Sequence, residues 1–328
     1  MNEPSDIQAF AQAAAVPMTF GQILDRTYRL MRKHCRLLLG IASVPTIALV
    51  VFTGALVGSM FAALGPQLTS GSAIPATPPP LFFGVILLFY PVILLVYALY
   101  LPAAFFAATQ ADRGVVVSLR QAYEVAWSRF GRSVWLMVLC MLYLVVPVMV
   151  IAVLIGVGAA LMQHGTATGA GPAYAFFLIP LLVLLYLGIL VYSVLIMLRF
   201  AVAYPACIEE DLPARMALKR SASLTSGAKG RIFLVLLVVY AVVYAVEIVC
   251  ILVLVAVAAI VAFVAVSAHV TVGSPAFFIL AGTGVLAYLM VIGVCILLSY
   301  AAFTTALAVL YHDQRLRKDV LAPAAPLV

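Results

Sequence analysis

Three segments of this chain, Gly65–Pro80, Gln163–Ala173 and His269–Ala276, contain no Lys, Arg, Asp or Glu. Charge is scarce throughout: those four residue types make up 9% of 328 residues, against about a quarter in soluble domains. Cysteine is sparse and scattered. Cys35, Cys140, Cys207, Cys250 and Cys295 stand singly, with no CxxC and no metal-ligand spacing to a histidine. That pattern excludes a dithiol motif or a zinc ribbon. His34, His164, His269 and His312 are far apart and form no ligand or acid–base constellation. No P-loop, dinucleotide fingerprint, HExxH or GxSxG occurs, so nothing supports an enzyme, and neither a cofactor nor a metal is expected. The first residues carry Glu3 and Asp6 and no basic region ahead of an apolar core, which does not read as a cleaved signal peptide.

What fills the chain instead is apolar. Hydrophobic residues account for 66% of it, and the mean hydropathy is +1.23. Six runs stand out: Leu37–Leu64, Leu81–Thr109, Val134–Met162, Tyr174–Ala206, Ile232–Ala268 and Phe277–Tyr311. About 20 residues cross a bilayer core, so each run can span it with length to spare. Pro45, Pro91, Pro147 and Pro180 fall inside the first four runs and are expected to bend them. The fifth run has neither Pro nor Gly. The basic residues lie in Arg26–Arg36, Arg113–Arg132, Arg215–Arg231 and Arg315–Lys318, with Arg199 alone outside them. Basic residues resist translocation, so the chain reads as a six-span protein with both termini and two loops in the cytoplasm. The net charge of +7 sits beside spans, which favours anionic phospholipid as partner over nucleic acid.

An internal repeat organises these spans. With Leu24, Leu119 and Leu218 equivalent, Leu30, Val125 and Leu224 fall in register six residues later. Another six bring Arg36-Leu37, Gly131-Arg132 and Gly230-Arg231, just ahead of the odd-numbered spans. Each unit reads as a basic amphipathic helix, a span outward, a short loop and a span back. Three parallel repeats about an axis along the membrane normal follow, the alternative being chance similarity among basic segments. In the first helix Phe20, Ile23, Leu24, Thr27, Leu30 and Met31 share one face, opposite Gln22, Asp25, Arg26, Arg29, Arg32 and Lys33. In the second, Leu119, Ala122, Tyr123, Ala126, Trp127 and Phe130 form the apolar side. Thr19-x-x-Gln22 and Ser118-x-x-Gln121 are capping boxes at their starts.

Two roles for these segments stand side by side. Either they lie in the plane of the inner leaflet with cations against phosphates, or they pack on the bundle and enforce topology. The first makes Arg26, Arg29, Arg32, Lys33, Arg36, Arg129, Arg132, Lys219, Arg220, Lys229 and Arg231 candidate contacts for anionic lipid head groups. A protein partner or a second copy of the chain is the other partner these helices would suit. Glu247, between Val246 and Ile248, is the candidate intramembrane site, because an ionised carboxylate there is costly. It is either a proton or cation site of a small transporter or lipid-handling protein, or a neutral structural residue. Arg199 is expected to snorkel to the phosphates from the fourth span rather than meet Glu247.

Three stretches carry a resemblance. They are Thr19-Phe-Gly-Gln-Ile-Leu-Asp-Arg-Thr-Tyr-Arg-Leu-Met-Arg-Lys-His, Tyr204-Pro-Ala-Cys-Ile-Glu-Glu with Ala217-Leu-Lys-Arg-Ser, and Leu310-Tyr-His-Asp-Gln-Arg-Leu-Arg-Lys-Asp. Together they resemble the bacterial family named for the membrane domain ahead of some glycerophosphodiester phosphodiesterases. The resemblance implies a six-helix domain of the bacterial inner membrane. It does not imply phosphodiesterase activity, which depends on a His-Arg-Gly motif. Here the four histidines precede Cys35, Gly165, Val270 and Asp313. The expected fold is therefore an all-α polytopic bundle with six transmembrane helices and three in-plane cytoplasmic helices. Its parts are a flexible tail over 1–17, one membrane domain over 18–312 and a cytoplasmic tail over 313–328. The expected function is that of a non-enzymatic module that binds lipid or a partner and organises the inner leaflet.

Overall fold

A computed structural model describes residues 17–70, 80–167, 171–271 and 273–320 of the chain. The N-terminal tail as far as residue 16, the middle of the first two outer loops and residues 321–328 lie outside the described residues. Among the described residues the chain is 91% helix with no strand. In order come α1 (Phe20–Lys33), α2 (Cys35–Ser70), α3 (Pro80–Asp112), α4 (Leu119–Ser128) and α5 (Phe130–Ala167). After them come α6 (Gly171–Phe200), α7 (Ala203–Glu209), α8 (Ala214–Thr225), α9 (Lys229–Ser267) and α10 (Pro275–Arg315), with a closing π-helical turn at Leu316–Val320.

The six long helices, α2, α3, α5, α6, α9 and α10, are long and apolar enough to cross a membrane. The chain is thus a multi-pass membrane protein by architecture. Helix is the required solution, since a backbone in hydrocarbon must satisfy its own hydrogen bonds. The same demand explains two extensions. Helix α2 continues through Gly65 and Pro66 to Ser70, and α5 through Gln163 to Ala167, so both expected outer segments are entered as helix. Pro66 withholds only its own N–H, and Thr69 Oγ1 donates to its carbonyl at 2.8 Å. Pro45, Pro91, Pro147 and Pro180 all stand inside continuous helices. The boundary at 312/313 is likewise crossed without a break, because α10 runs on to Arg315 and Asp313 is fully buried.

Packing is concentrated at one end. The hairpins α2–α3, α5–α6 and α9–α10 are antiparallel, which gathers every basic cluster and all four short helices there. Ile41 and Ala42 of α2 meet Tyr100, Ala103, Ala104 and Ala107 of α3, closed over by Ala122 and Ala126 of α4. Ile23 of α1 is buried among Leu198, Ile232, Val235, Leu236, Val309 and Leu310. Leu136 of α5 packs with Ala203 and Cys207 of α7 and Ala214, Ala217 and Leu218 of α8. Alanine dominates these contacts because small side chains let membrane helices approach closely. At the level of the spans, Gly293 serves the same end: a Cβ there would stand 3.1 Å from Val50 of α2. Towards the other end the helices expose side chains on most faces, as over Met141–Val146, Leu184–Leu187 and Leu252–Val264.

Candidate functional site

Among the described residues the charged side chains come together at the basic end, and Arg–carboxylate pairs hold it closed. Among the described carboxylates Asp313 is the most buried. It accepts from the Met18 backbone N–H at 2.9 Å and from Arg317 Nε at 2.9 Å, and Arg231 lies 3.3 Å away. Arg231 and Arg317 also both donate to the Met18 carbonyl, the latter at 2.9 Å. The start of α1 is thereby fastened to α9 and to the end of α10. Glu210, past the end of α7, accepts from Arg220 Nε at 3.0 Å and from Tyr311 Oη at 2.9 Å. Arg220 also donates to Asp319, and Asp319 followed by Glu210 raises the guanidinium pKa above its ordinary value. Asp211 takes Arg132 at 2.8 Å and Arg129 at 3.4 Å. Its positive φ of 50° at the α7–α8 turn is one that Asp tolerates better than most residues. Arg26 reaches Asp112 at 2.5 Å, and Arg113 pairs with Glu209.

The two capping boxes form as the spacing requires: Gln22 Oε1 accepts from the Thr19 N–H at 2.7 Å, and Gln121 Oε1 from the Ser118 N–H at 2.9 Å. The apolar faces behind them do not lie free. In α1, Ile23 and Thr27 are buried, while Phe20, Leu24 and Leu30 pack partly buried against α9 and α10. In α4, Ala122 and Ala126 are buried on α3, and Tyr123 Oη donates to the Ile41 carbonyl at 3.0 Å. Burial pushes the Tyr123 phenol up to about 12. Trp127 remains 68% exposed, its ring stacked on Phe130, a placement that suits an interfacial aromatic.

The sequence-predicted cations divide into two classes. Arg26, Arg29, Arg129, Arg132, Arg220 and Arg231 have carboxylate partners, Arg29 pairing with Asp25 within α1. Arg32, Lys33, Arg36, Lys219 and Lys229 have none among the described residues, and the first four are exposed. Arg199, exposed at the end of α6, does not meet Glu247. It shares a cleft of about 450 Å³ with Arg215 and Lys219 of α8, walled by Leu139 and Tyr143 of α5 and by Ile196 and Phe200 of α6. A more open cleft of about 550 Å³ runs between the Val115–Val117 loop and α4. Glu247 is half-buried in α9 near Cys295, with no ion pair or hydrogen bond among the described residues, and it lines neither cleft.

Sequence reasoning passed over Arg215 and the acids that organise this end. The consecutive Glu209-Glu210-Asp211 beside a basic cluster was the available signal for the latter. Arg215 sits one turn before Lys219 on the same helix face, but only the fold brings Arg199 to them. Among the described residues no group of three or more His, Cys, Asp or Glu is placed to hold a metal ion. No protein-family model, no curated protein and no solved structure matches this chain.

Proposed function

We propose that this is a non-enzymatic protein of the bacterial inner membrane that engages anionic phospholipid at its basic end and organises the inner leaflet around it. Both termini lie in the cytoplasm on this reading. The helices α1, α4 and α8 run along the leaflet, each resting its apolar side partly on the bundle, and the cations of α1 and α8 that carry no carboxylate partner among the described residues turn to the phosphates. The chain order of short helix, span and span, repeated three times around the extra helix α7, supports parallel repeats. A place in the phosphodiesterase membrane-domain family rests on the three resembling stretches of sequence alone.

The observation that carries the reading is the division among the cations. Arginines with carboxylate partners hold the end together, whereas Arg32, Lys33 and Arg36 stand exposed at the junction of α1 and α2 without one among the described residues. A cation with no carboxylate partner among the described residues is placed to meet a phosphate, and each contributes about 1 kcal/mol near an anionic surface. The test places the full-length protein in nanodiscs of phosphatidylcholine alone or with phosphatidylglycerol and measures thermal unfolding. Phosphatidylglycerol should stabilise the native protein, and R32Q/K33Q/R36Q should remove much of that gain, as should high salt. Equal stability of the native protein in both membranes would sink the proposal.

A further inference from the structure

A cationic cleft lies between α5, α6 and α8. Three cations line it, Arg199 from the last turns of α6 and Arg215 and Lys219 from one face of α8, and no carboxylate among the described residues does. The nearest acids in sequence are engaged elsewhere: Glu210 by Arg220 and Tyr311, and Asp211 by Arg129 and Arg132. Like charges one turn apart on a helix repel, and Arg199 adds a third. The convergence is nevertheless built firmly. The Arg199 carbonyl accepts from Ser221 Oγ at 2.8 Å and from Thr225 Oγ1 at 3.4 Å. Both of those side chains are fully buried, so the end of α6 is fastened to α8 with the cations facing one space. That space, about 450 Å³, falls in the range of small-ligand pockets, roughly 300–1,000 Å³.

Its other walls are apolar. Tyr143 and Phe200 lie with ring centroids 5.2 Å apart across the α5–α6 seam; Ile196 continues that wall away from the basic end, and Leu139 lines it one turn nearer that end. A ligand seated there would put an anion among three cations and hydrocarbon against α5 and α6. We propose that the cleft holds one phospholipid by its phosphate, with Arg199, Arg215 and Lys219 as the phosphate ligands and the acyl chains laid along the α5–α6 seam. Arginine suits this role because its planar fork meets two phosphate oxygens at once. This site rests on the lipid-engaging function proposed above, but it concerns one stoichiometric lipid rather than the leaflet as a whole.

Native mass spectrometry of the full-length protein, released from micelles doped with phosphatidylglycerol or phosphatidylcholine, reads the site directly. The native protein should retain a single phosphatidylglycerol at activation energies that strip phosphatidylcholine. R199Q/R215Q/K219Q should bind it roughly a hundredfold more weakly, and R32Q/K33Q/R36Q should keep it. Retention by the cleft variant as tightly as by the native protein overturns the site while leaving a general preference for anionic lipid standing. If the native protein holds the two lipids equally, the broader functional reading fails and the site with it. Displacement of the lipid by millimolar inorganic phosphate would overturn the lipid assignment in favour of a soluble phosphate ligand. Should the cleft variant not fold, Lys219→Glu and Arg215→Lys take its place. The first is expected to lose the bound lipid and the second to hold it more weakly than the native protein, since lysine keeps the charge and loses the fork; retention by Lys219→Glu overturns the proposal.

Discussion

The two ends of this molecule obey different rules. At the basic end, side chains such as Tyr100, Ile232, Leu310 and Tyr311 are essentially inaccessible, and carboxylates and arginines tie α1, α7, α8 and the C-cap of α4 to the ends of α3, α5, α9 and α10. Towards the other end, α5, α6 and α9 show most of their Val, Leu and Ile to the surroundings. The contrast follows from solvent. In hydrocarbon an exposed valine costs nothing, so spans need not bury apolar surface against one another, and close contact depends on small residues and polar ties. Near the head groups water competes, and burial there carries the usual hydrophobic gain. The assembly is thus determined at one end and accommodated by lipid along the rest.

The largest break in this contrast should come from Asp313→Ala. Removing a fully buried carboxylate leaves Arg231, Arg317 and the Met18 N–H without their shared acceptor, a cost of about 3 kcal/mol. Val257→Ala, at an exposed position of α9, should change stability by less than about 0.5 kcal/mol. Thermal unfolding in one detergent compares them, and equal losses would erase the distinction between the ends. A milder probe is overpacking. Ala107→Leu, at a position with no accessible surface, should cost about 1–3 kcal/mol, whereas Ala259→Leu on the exposed side of α9 should be silent in the same assay.

The same contrast explains what could be read from the sequence. Six long apolar runs announce six spans because no other structure satisfies twenty residues of backbone in hydrocarbon, and the Thr19 and Ser118 capping boxes depend only on neighbours three residues away. The face of α1 that carries Ile23 was equally legible as apolar. Its destination was not, because lipid tails and the α9–α10 surface look alike to a pattern of Leu and Ile. Arg26 and Arg32 are also indistinguishable in sequence, and only the approach of Asp112, 86 residues away, makes one a clamp and leaves the other free. The meeting of Arg199 with Arg215 and Lys219 depends on α7 folding back so that Ser221 and Thr225 reach the end of α6. The run of alanines over Ala103–Ala111 and Ala301–Ala308 was a signal for close packing at this end.

Glu247 gives the smallest expected effect. It sits in the loosely packed stretch of α9, away from both clefts, so Glu247→Gln should leave folding and lipid preference unchanged, since Gln keeps the shape and hydrogen-bonding capacity of a neutral glutamate. A Glu247→Gln protein that inserts and folds normally but loses a cellular phenotype would restore transport or lipid handling at this residue as the leading reading.

The proposed engagement of the inner leaflet requires the basic end to face the cytoplasm, and sidedness of labelling tests that orientation most directly. In a chain whose native cysteines are replaced, single cysteines at Ser118 and Ser226 report the basic end, and a cysteine at Ser274, the N-cap of α10, reports the other. Ser226 is exposed and so serves better than Ser221, whose burial would block reaction whatever its side. An impermeant thiol reagent added outside intact cells should modify the cysteine at Ser274 and spare those at Ser118 and Ser226 until the membrane is opened. Labelling of Ser118 or Ser226 from outside in intact cells would contradict the orientation, and with it the assignment of the basic end to the inner leaflet.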